Sequence, residues 1–294
     1  MTNPGNGILT AADQREHSLL QFLRHPALNA QPPNRLSIWR WVGWLSFLFL
    51  VALLGGVLNG ILEHVLGIKA STTFLTYLLN HASWRAAVIV GTAPLTEELA
   101  FRAMLSTSAR SVFIGLAFFI TYLFVLFRLF QPHTQPGGLI ATPGGVVANY
   151  FDPFWILLPA SLASLLLYFF ARSKVMAVFQ KHGIAVFWIS CILFGVGHAM
   201  IYVNHFVLWS ILLVLPQFIL GVLLASIRVR FGLRWSIASH YAIDSLIIYG
   251  AWLYLAAAPD PGAQRSLLFA IVILGIFAML YAFVMCVRIA RGRC

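Results

Sequence analysis

The stretch 41-WVGWLSFLFLVALLGGVLNGIL-62 contains no charged side chain. A helix of about 20 apolar residues is long enough to cross the hydrocarbon core of a bilayer, whereas a surface helix of a soluble protein needs a polar face. Several further stretches of 18 or more residues with few charges follow along the chain. The sequence is therefore predicted to fold as a bundle of transmembrane helices.

The composition agrees with a membrane protein. Hydrophobic residues make up 61% of the chain and charged residues 9%, whereas soluble domains carry about 25% charged residues. The net charge of +11 could suit nucleic acid, but the basic residues lie beside the apolar stretches, where anionic lipid headgroups favour them. The expected partner is therefore the lipid bilayer and not nucleic acid.

Eight membrane spans are predicted, with boundaries uncertain by several residues: 41–62, 86–109, 112–130, 153–171, 184–204, 206–227, 236–257 and 267–287. The segment 71–84 is too short to span and is expected to lie at the membrane interface. The segment 131–152 is rich in glycine and proline and is expected to form a loop outside.

The basic residues predict the orientation of these spans. With the N-terminus inside, only four lysine or arginine residues after the tail fall outside, namely Lys69, Arg85, Arg128 and Arg265. The fold class is thus an all-α polytopic membrane protein with about eight transmembrane helices and both termini cytoplasmic. Residues 1–37 are expected to form a cytoplasmic tail and residues 38–294 one membrane domain.

A first polar cluster lies in 96-TEELAFR-102. Ionisable groups at membrane depth cost about 2.5–3.5 kcal/mol each on insertion scales, so they usually serve a function. On a helix Glu98 and Arg102 are i,i+4 neighbours and can pair, whereas Glu97 is rotated by about 100° and stays free to act as a general base. The alternative is an ion pair that only locks helices together.

A second cluster lies in 194-FGVGH-198. Helical rise places His198 about 21 Å from the inner side and Glu97 at a comparable depth of about 20 Å, counted from Arg110. Gly195 and Gly197 permit close approach of another helix or of a substrate, and Phe194 shares the face of His198. The alternative is a single interhelical histidine hydrogen bond.

A third cluster lies in 240-HYAID-244, where His240 and Asp244 share a helix face. Such a pair can orient a water, bind a metal or stabilise an oxyanion. A structural hydrogen bond between the two side chains explains it equally well.

The three motifs EExxxR, FxxxH and HxxxD, taken in order, resemble those of the CAAX prenyl protease and bacteriocin-processing (CPBP, or Abi) family of intramembrane proteases. The residues that carry the resemblance are Glu97, Glu98, Arg102, Phe194, His198, His240 and Asp244. The resemblance covers residues 86–250 and excludes the tail and the first and last spans.

The resemblance implies an intramembrane endopeptidase of glutamic type, formerly considered metallo, that hydrolyses a membrane-tethered protein. Glu97 and His198 would activate a water, and His240 and Asp244 would stabilise the oxyanion. Glu98 and Arg102 would support them as an ion pair. The substrate could be CAAX-like or a C-terminal sorting signal. The short membrane core is more similar to prokaryotic members and predicts a multi-pass protein of a bacterial cell membrane.

Asp244 departs from the family pattern, in which asparagine is common. An ionised aspartate cannot donate a hydrogen bond to an oxyanion. It either stays protonated or accepts from His240 and orients that ring. No cofactor is expected, although zinc bound by His198, His240 and Asp244 is the second interpretation of the same residues.

Two further interpretations stay open. Buried carboxylates and histidines can form the relay of a transporter, although the sequence contains neither an internal repeat nor matching broken helices. A non-catalytic immunity or scaffold protein could keep the same residues. No GxSxG, HExxH or P-loop pattern is present, so hydrolysis through an activated water is favoured.

Overall fold

The computed structural model describes residue 23, residues 38–66, 84–129, 145–199 and 210–256, and short pieces between 262 and 284. Eight helices are bounded within them: α1 (Ile38–Leu66), α2 (Trp84–Phe101), α3 (Ala109–Leu129), α4 (Gly145–Lys181), α5 (Gly183–Gly197), α6 (Ser210–Leu213), α7 (Leu215–Phe231) and α8 (Leu233–Ala256). The prediction of an all-α protein is confirmed for the described part of the chain.

Two of these helices are long and apolar enough to cross a membrane, over Trp41–Leu62 in α1 and Ile156–Lys181 in α4. Only 17% and 11% of their most apolar windows are buried, so most of their large apolar side chains point away from the protein interior. Phe170 of α4, for example, is 85% exposed. Shorter apolar helices cover Ala109–Phe124 and Gly183–Gly197. Length and composition thus give two candidate spans, and the count of eight stays a prediction.

The predicted span 86–109 is wrong at its C-terminal end, because α2 ends at Phe101 and a turn follows before α3. In that turn the backbone N–H of Ser108 donates to the Ser106 hydroxyl at 3.0 Å. Short polar side chains offer the backbone such alternatives to helical hydrogen bonds. Glu97 therefore lies about 6 Å of helical rise from the end of α2, and the depth of 20 Å counted along one helix does not apply.

The predicted loop 131–152 is wrong over its last eight residues, because α4 already begins at Gly145. The same helix continues past the predicted end of the fourth span to Lys181. Hydropathy alone does not locate the ends of a helix, because a helix can continue beyond its apolar part where its backbone stays hydrogen-bonded.

The predicted span 206–227 is interrupted at Val214, between α6 and α7. Pro216 lies in the first turn of α7, where its missing N–H costs nothing. The tail 1–37 and the interfacial segment 71–84 lie almost wholly outside the described residues. In the predicted span 267–287, those residues that are described are helical.

Helix α7 is the centre of the fold and packs against α1, α5 and α8. All residues from Gly221 to Ile227 are buried, so every side of the helix is covered over these two turns. Close packing depends on small residues: a Cβ on Gly195 of α5 would stand 3.1 Å from Cα of Phe218. Helices α2 and α8 also pack against each other, and this brings their polar side chains together.

The packing of α1 on the start of α7 yields a test with a neighbouring control. A Cβ on Gly55 would stand 2.4 Å from Cβ of Pro216, whereas a Cβ on Gly56 would meet nothing within 4 Å. We expect Gly55→Ala to destabilise the protein by about 1–3 kcal/mol through overpacking. Gly56→Ala should be neutral or slightly stabilising, because alanine favours the helix. Thermal unfolding in detergent measures both, and equal melting temperatures would contradict the packing of α1 on α7.

Candidate active site

The polar residues of the three sequence motifs form one cluster between α2, α5 and α8. Glu97 and Glu98 lie in the last turn of α2, and His198 is the C-cap residue of α5. His240 and Asp244 lie one turn apart on α8. Residues that are more than a hundred positions apart in sequence thus meet at one place.

Glu98 is fully buried, and partners occupy both of its carboxylate oxygens. Its Oε1 lies 3.1 Å from Nδ1 of His240 and 3.6 Å from Nε of Arg102. Its Oε2 accepts a hydrogen bond from the hydroxyl of Ser236. A buried charge is tolerated only where it is paired and hydrogen-bonded. Glu98 is therefore a structural carboxylate that is committed to its neighbours.

Arg102 is also fully buried, and three groups hold it in place. Beside the ion pair with Glu98, its Nη2 donates to the carbonyl of Gly221 at 3.3 Å. Its guanidinium carbon lies 4.0 Å from the ring centroid of Phe194, a cation–π distance. A Cβ on Gly221 would stand 2.9 Å from that ring, so glycine leaves room for the stack.

Glu97 has a different environment from its neighbour. Its side chain is 17% exposed, and its Oε2 lies 3.9 Å from Nε2 of His198 and 3.8 Å from Nε2 of His240. These separations are longer than direct hydrogen bonds and suit polar groups that share a bridging water. Glu97 is thus the carboxylate that faces two imidazoles without being locked to either.

The tautomer of His198 follows from its position at the end of α5. Its Nδ1 lies 2.7 Å from the carbonyl oxygen of Phe194. A carbonyl only accepts, so Nδ1 carries the proton. This bond also satisfies one of the carbonyls that a helix C-terminus leaves unpaired. In the neutral ring Nε2 is therefore an acceptor, and it is the nitrogen that faces Glu97.

His240 is oriented by Glu98. Its Nδ1–H donates to Glu98 Oε1 at 3.1 Å, and this directs Nε2 towards Glu97 and Asp244. Asp244 Oδ2 lies 3.7 Å from that Nε2 and its side chain is 28% exposed. The buried carboxylate of Glu98 thus fixes the ring, and Asp244 lies within ion-pair distance of the other ring nitrogen; the role of Asp244 in orienting His240 stays a prediction.

Three contributors to this site were missed in the sequence. Ser236 binds Glu98, the Ser190 hydroxyl donates to the carbonyl of Phe101 at 2.6 Å, and Arg228 Nε donates to the carbonyl of Arg102 at 2.9 Å. The last two bonds cap the end of α2 and so fix the turn that carries the carboxylates. Only Ser236 had a sequence signal, because it lies four residues before His240 on the same helix face.

The set His198, His240 and Asp244 does not fit a metal in this arrangement. No group of three histidine, cysteine or carboxylate side chains in the described part of the chain has the spacing of a metal site.

The buried ion pair yields a second test. Arg102→Ala leaves Glu98 uncompensated in the interior, and breaking such a pair costs about 3–5 kcal/mol. Arg110→Ala is the matched control, because that arginine is exposed on α3. The double variant Glu98→Gln/Arg102→Met should regain part of the loss, because it removes both charges. Thermal unfolding measures the series, and an Arg102→Ala protein as stable as Arg110→Ala would contradict the pairing.

Comparison of the chain with protein families, with characterised proteins and with solved structures finds no match. The distinctive feature of the site is a pair of adjacent carboxylates, of which one is saturated by partners and the other faces two histidines.

Proposed function

We propose that the chain is an intramembrane endopeptidase that hydrolyses a peptide bond in a membrane-tethered protein with a water activated by Glu97 and His198. The observation that carries this proposal is the position of Glu97 Oε2, 3.9 Å from Nε2 of His198 and 3.8 Å from Nε2 of His240. A saturated Glu98 leaves Glu97 as the carboxylate with free acceptor capacity.

The protonation pattern supports water activation. A water between Glu97 and His198 would donate one hydrogen to the carboxylate and the other to the unprotonated Nε2. Its lone pairs would then be free to attack a carbonyl carbon. By accepting hydrogen bonds from the water, the two groups increase the electron density on its oxygen, and Glu97 can then remove a proton as a general base. A carboxylate and an imidazole on different helices supply this arrangement without a Ser or Cys nucleophile.

The reaction balances with these groups alone. The water oxygen forms a bond to the carbonyl carbon, the electron pair of the C=O π bond moves to oxygen, and the proton of the water moves to Glu97. The C–N bond then breaks as the carbonyl re-forms. Glu97 returns the proton to the leaving amine nitrogen, so the free carboxylate is regenerated.

The environment of the site supports a substrate that is tethered to the membrane. The sequence is 61% hydrophobic, and α1 and α4 expose apolar surface that water would disfavour and lipid accepts. We infer the full eight-span topology with cytoplasmic termini, in a bacterial cell membrane. The three motifs that resemble CPBP proteases support the same reaction and add CAAX-like or C-terminal sorting segments as the substrate class.

Membrane location can be tested directly. The protein should remain in the membrane pellet after alkaline carbonate extraction, because the apolar surfaces of α1 and α4 need lipid. Reporter fusions at residues 1 and 294 should both report the cytoplasm. Release into the carbonate supernatant would contradict a membrane-spanning fold, and opposite signals from the two fusions would contradict an even number of spans.

The activity can be tested by N-terminal labelling of membrane proteins from cells that express each variant. Glu97→Gln, which keeps the shape of the side chain, and His198→Ala should each abolish a set of new N-termini that the wild type produces. The expected loss is at least 100-fold, as for removal of a general base. His182→Ala is the matched control, because this exposed histidine lies at the other end of α5.

Unchanged N-termini in both Glu97→Gln and His198→Ala would overturn the peptidase. Glu97-dependent solute flux in proteoliposomes would favour a transporter instead. Binding of a partner protein that survives Glu97→Gln, with no cleavage by the wild type, would favour a scaffold.

A further inference from the structure

Tyr122 of α3 lies against the helix turn that carries Glu97. Its ring centroid is 4.7 Å from that of Phe101 and the two rings meet at 76°, the edge-to-face geometry that aromatic pairs prefer. Phe101 follows Glu97 by four residues in the same helix, so the two share a face. The Phe101 ring thus places the tyrosine beside the carboxylate.

The hydroxyl of Tyr122 lies against Gly197, the residue directly before His198. A Cβ at Gly197 would stand 2.6 Å from the phenol oxygen. The hydroxyl therefore occupies the space that the absent side chain leaves. The contact with Gly197, the neighbour of His198, places the hydroxyl at the edge of the site.

The Tyr122 hydroxyl has no hydrogen-bond partner among the residues that the structure describes, although the side chain is partly buried. Tyrosine hydroxyls in such positions usually have one. A phenol can donate while it stays neutral, and an ionised carboxylate cannot. Tyr122 thus offers a hydrogen-bond donor next to Gly197 and His198.

Hydrolysis requires a hydrogen-bond donor to the oxyanion, and the Nδ1–H groups of the two histidines are not available for it. The N–H at Nδ1 of His198 is used by Phe194, and the N–H at Nδ1 of His240 is used by Glu98. An ionised Asp244 would repel an oxyanion. The negative charge that develops on the carbonyl oxygen needs a preorganised donor, and the free phenol hydroxyl meets that need.

We propose that Tyr122 is a catalytic residue that donates a hydrogen bond to the oxyanion, an inference that rests on the function proposed above. As the water oxygen bonds to the carbonyl carbon, the π electron pair moves to the carbonyl oxygen, and the Tyr122 O–H stabilises that charge without giving up its proton. When the C–N bond breaks, the pair returns to re-form the carbonyl and Glu97 protonates the amine.

The kinetic test uses a peptide that spans a cleavage site whose new N-terminus disappears in Glu97→Gln membranes. The full-length protein in detergent is assayed as wild type, Glu97→Gln, Tyr122→Phe and Tyr168→Phe. Tyr122→Phe should lower kcat about 100- to 1000-fold with KM changed by no more than about threefold, as for loss of one oxyanion donor. Tyr168→Phe removes a hydroxyl on α4, where the ring packs on Phe113, and should keep wild-type kcat.

A stability test checks the geometry without any substrate. Gly197→Ala should lower the melting temperature, because its Cβ meets the Tyr122 oxygen, whereas the nearest ring carbon is farther away at 3.3 Å. Tyr122→Phe in the Gly197→Ala background should therefore raise the melting temperature. The two changes should be non-additive, as expected for groups in contact.

The outcomes separate the two proposals. Loss of activity in Glu97→Gln together with wild-type kcat in Tyr122→Phe would overturn the oxyanion role and leave the peptidase intact. A raised KM with unchanged kcat would assign Tyr122 to substrate binding and equally overturn the role. Full activity in Glu97→Gln, or no Glu97-dependent N-terminus at all, would overturn both. Additive changes in melting temperature for Gly197→Ala and Tyr122→Phe would show that the hydroxyl does not lie at Gly197. They would overturn the geometry on which the oxyanion role depends.

Discussion

The buried carboxylate of Glu98 is the interaction on which the site depends. It joins Arg102 at the end of α2 to Ser236 and His240 on α8, and both of its carboxylate oxygens have partners. A desolvated charge with fixed partners tolerates little movement, because each lost partner costs several kcal/mol. Glu98 therefore holds α2 and α8 in register, and with them the side chains that face the reactive space.

Small residues let the surrounding helices approach this ion pair. Gly221 of α7 makes room for the stack of Arg102 on Phe194, and Gly195 of α5 lets that helix lie against Phe218. Such contacts depend on close van der Waals packing, which small residues permit. The side-chain caps from Ser190 and Arg228 complete the end of α2. The glycines and the caps thus serve one purpose, which is to keep two carboxylates at a helix end.

The residues that meet at the cluster could be predicted from sequence, because charges are costly in apolar helices and i,i+4 spacing places them on shared faces. The end of α2 could not be predicted from sequence, because the residues that follow Phe101 are also compatible with a helix. What ends that helix is a set of side chains from α5 and α7 that satisfy its carbonyls. The position of Tyr122 could not be predicted either, because nothing in its local sequence distinguishes it from a tyrosine at a membrane interface.

Two identical residues, adjacent in sequence, acquire different chemistry from a rotation of about 100° around one helix. Glu98 points inward, where arginine, serine and histidine consume its lone pairs. Glu97 points to a partly exposed space, and its Oε2 lies 3.8–3.9 Å from Nε2 of His198 and of His240. A single glutamate could not both hold the two helices together and accept a proton, because both tasks need the same carboxylate lone pairs. Separating the tasks over TEELAFR lets a rigid, charged support lie next to a base that stays free to react.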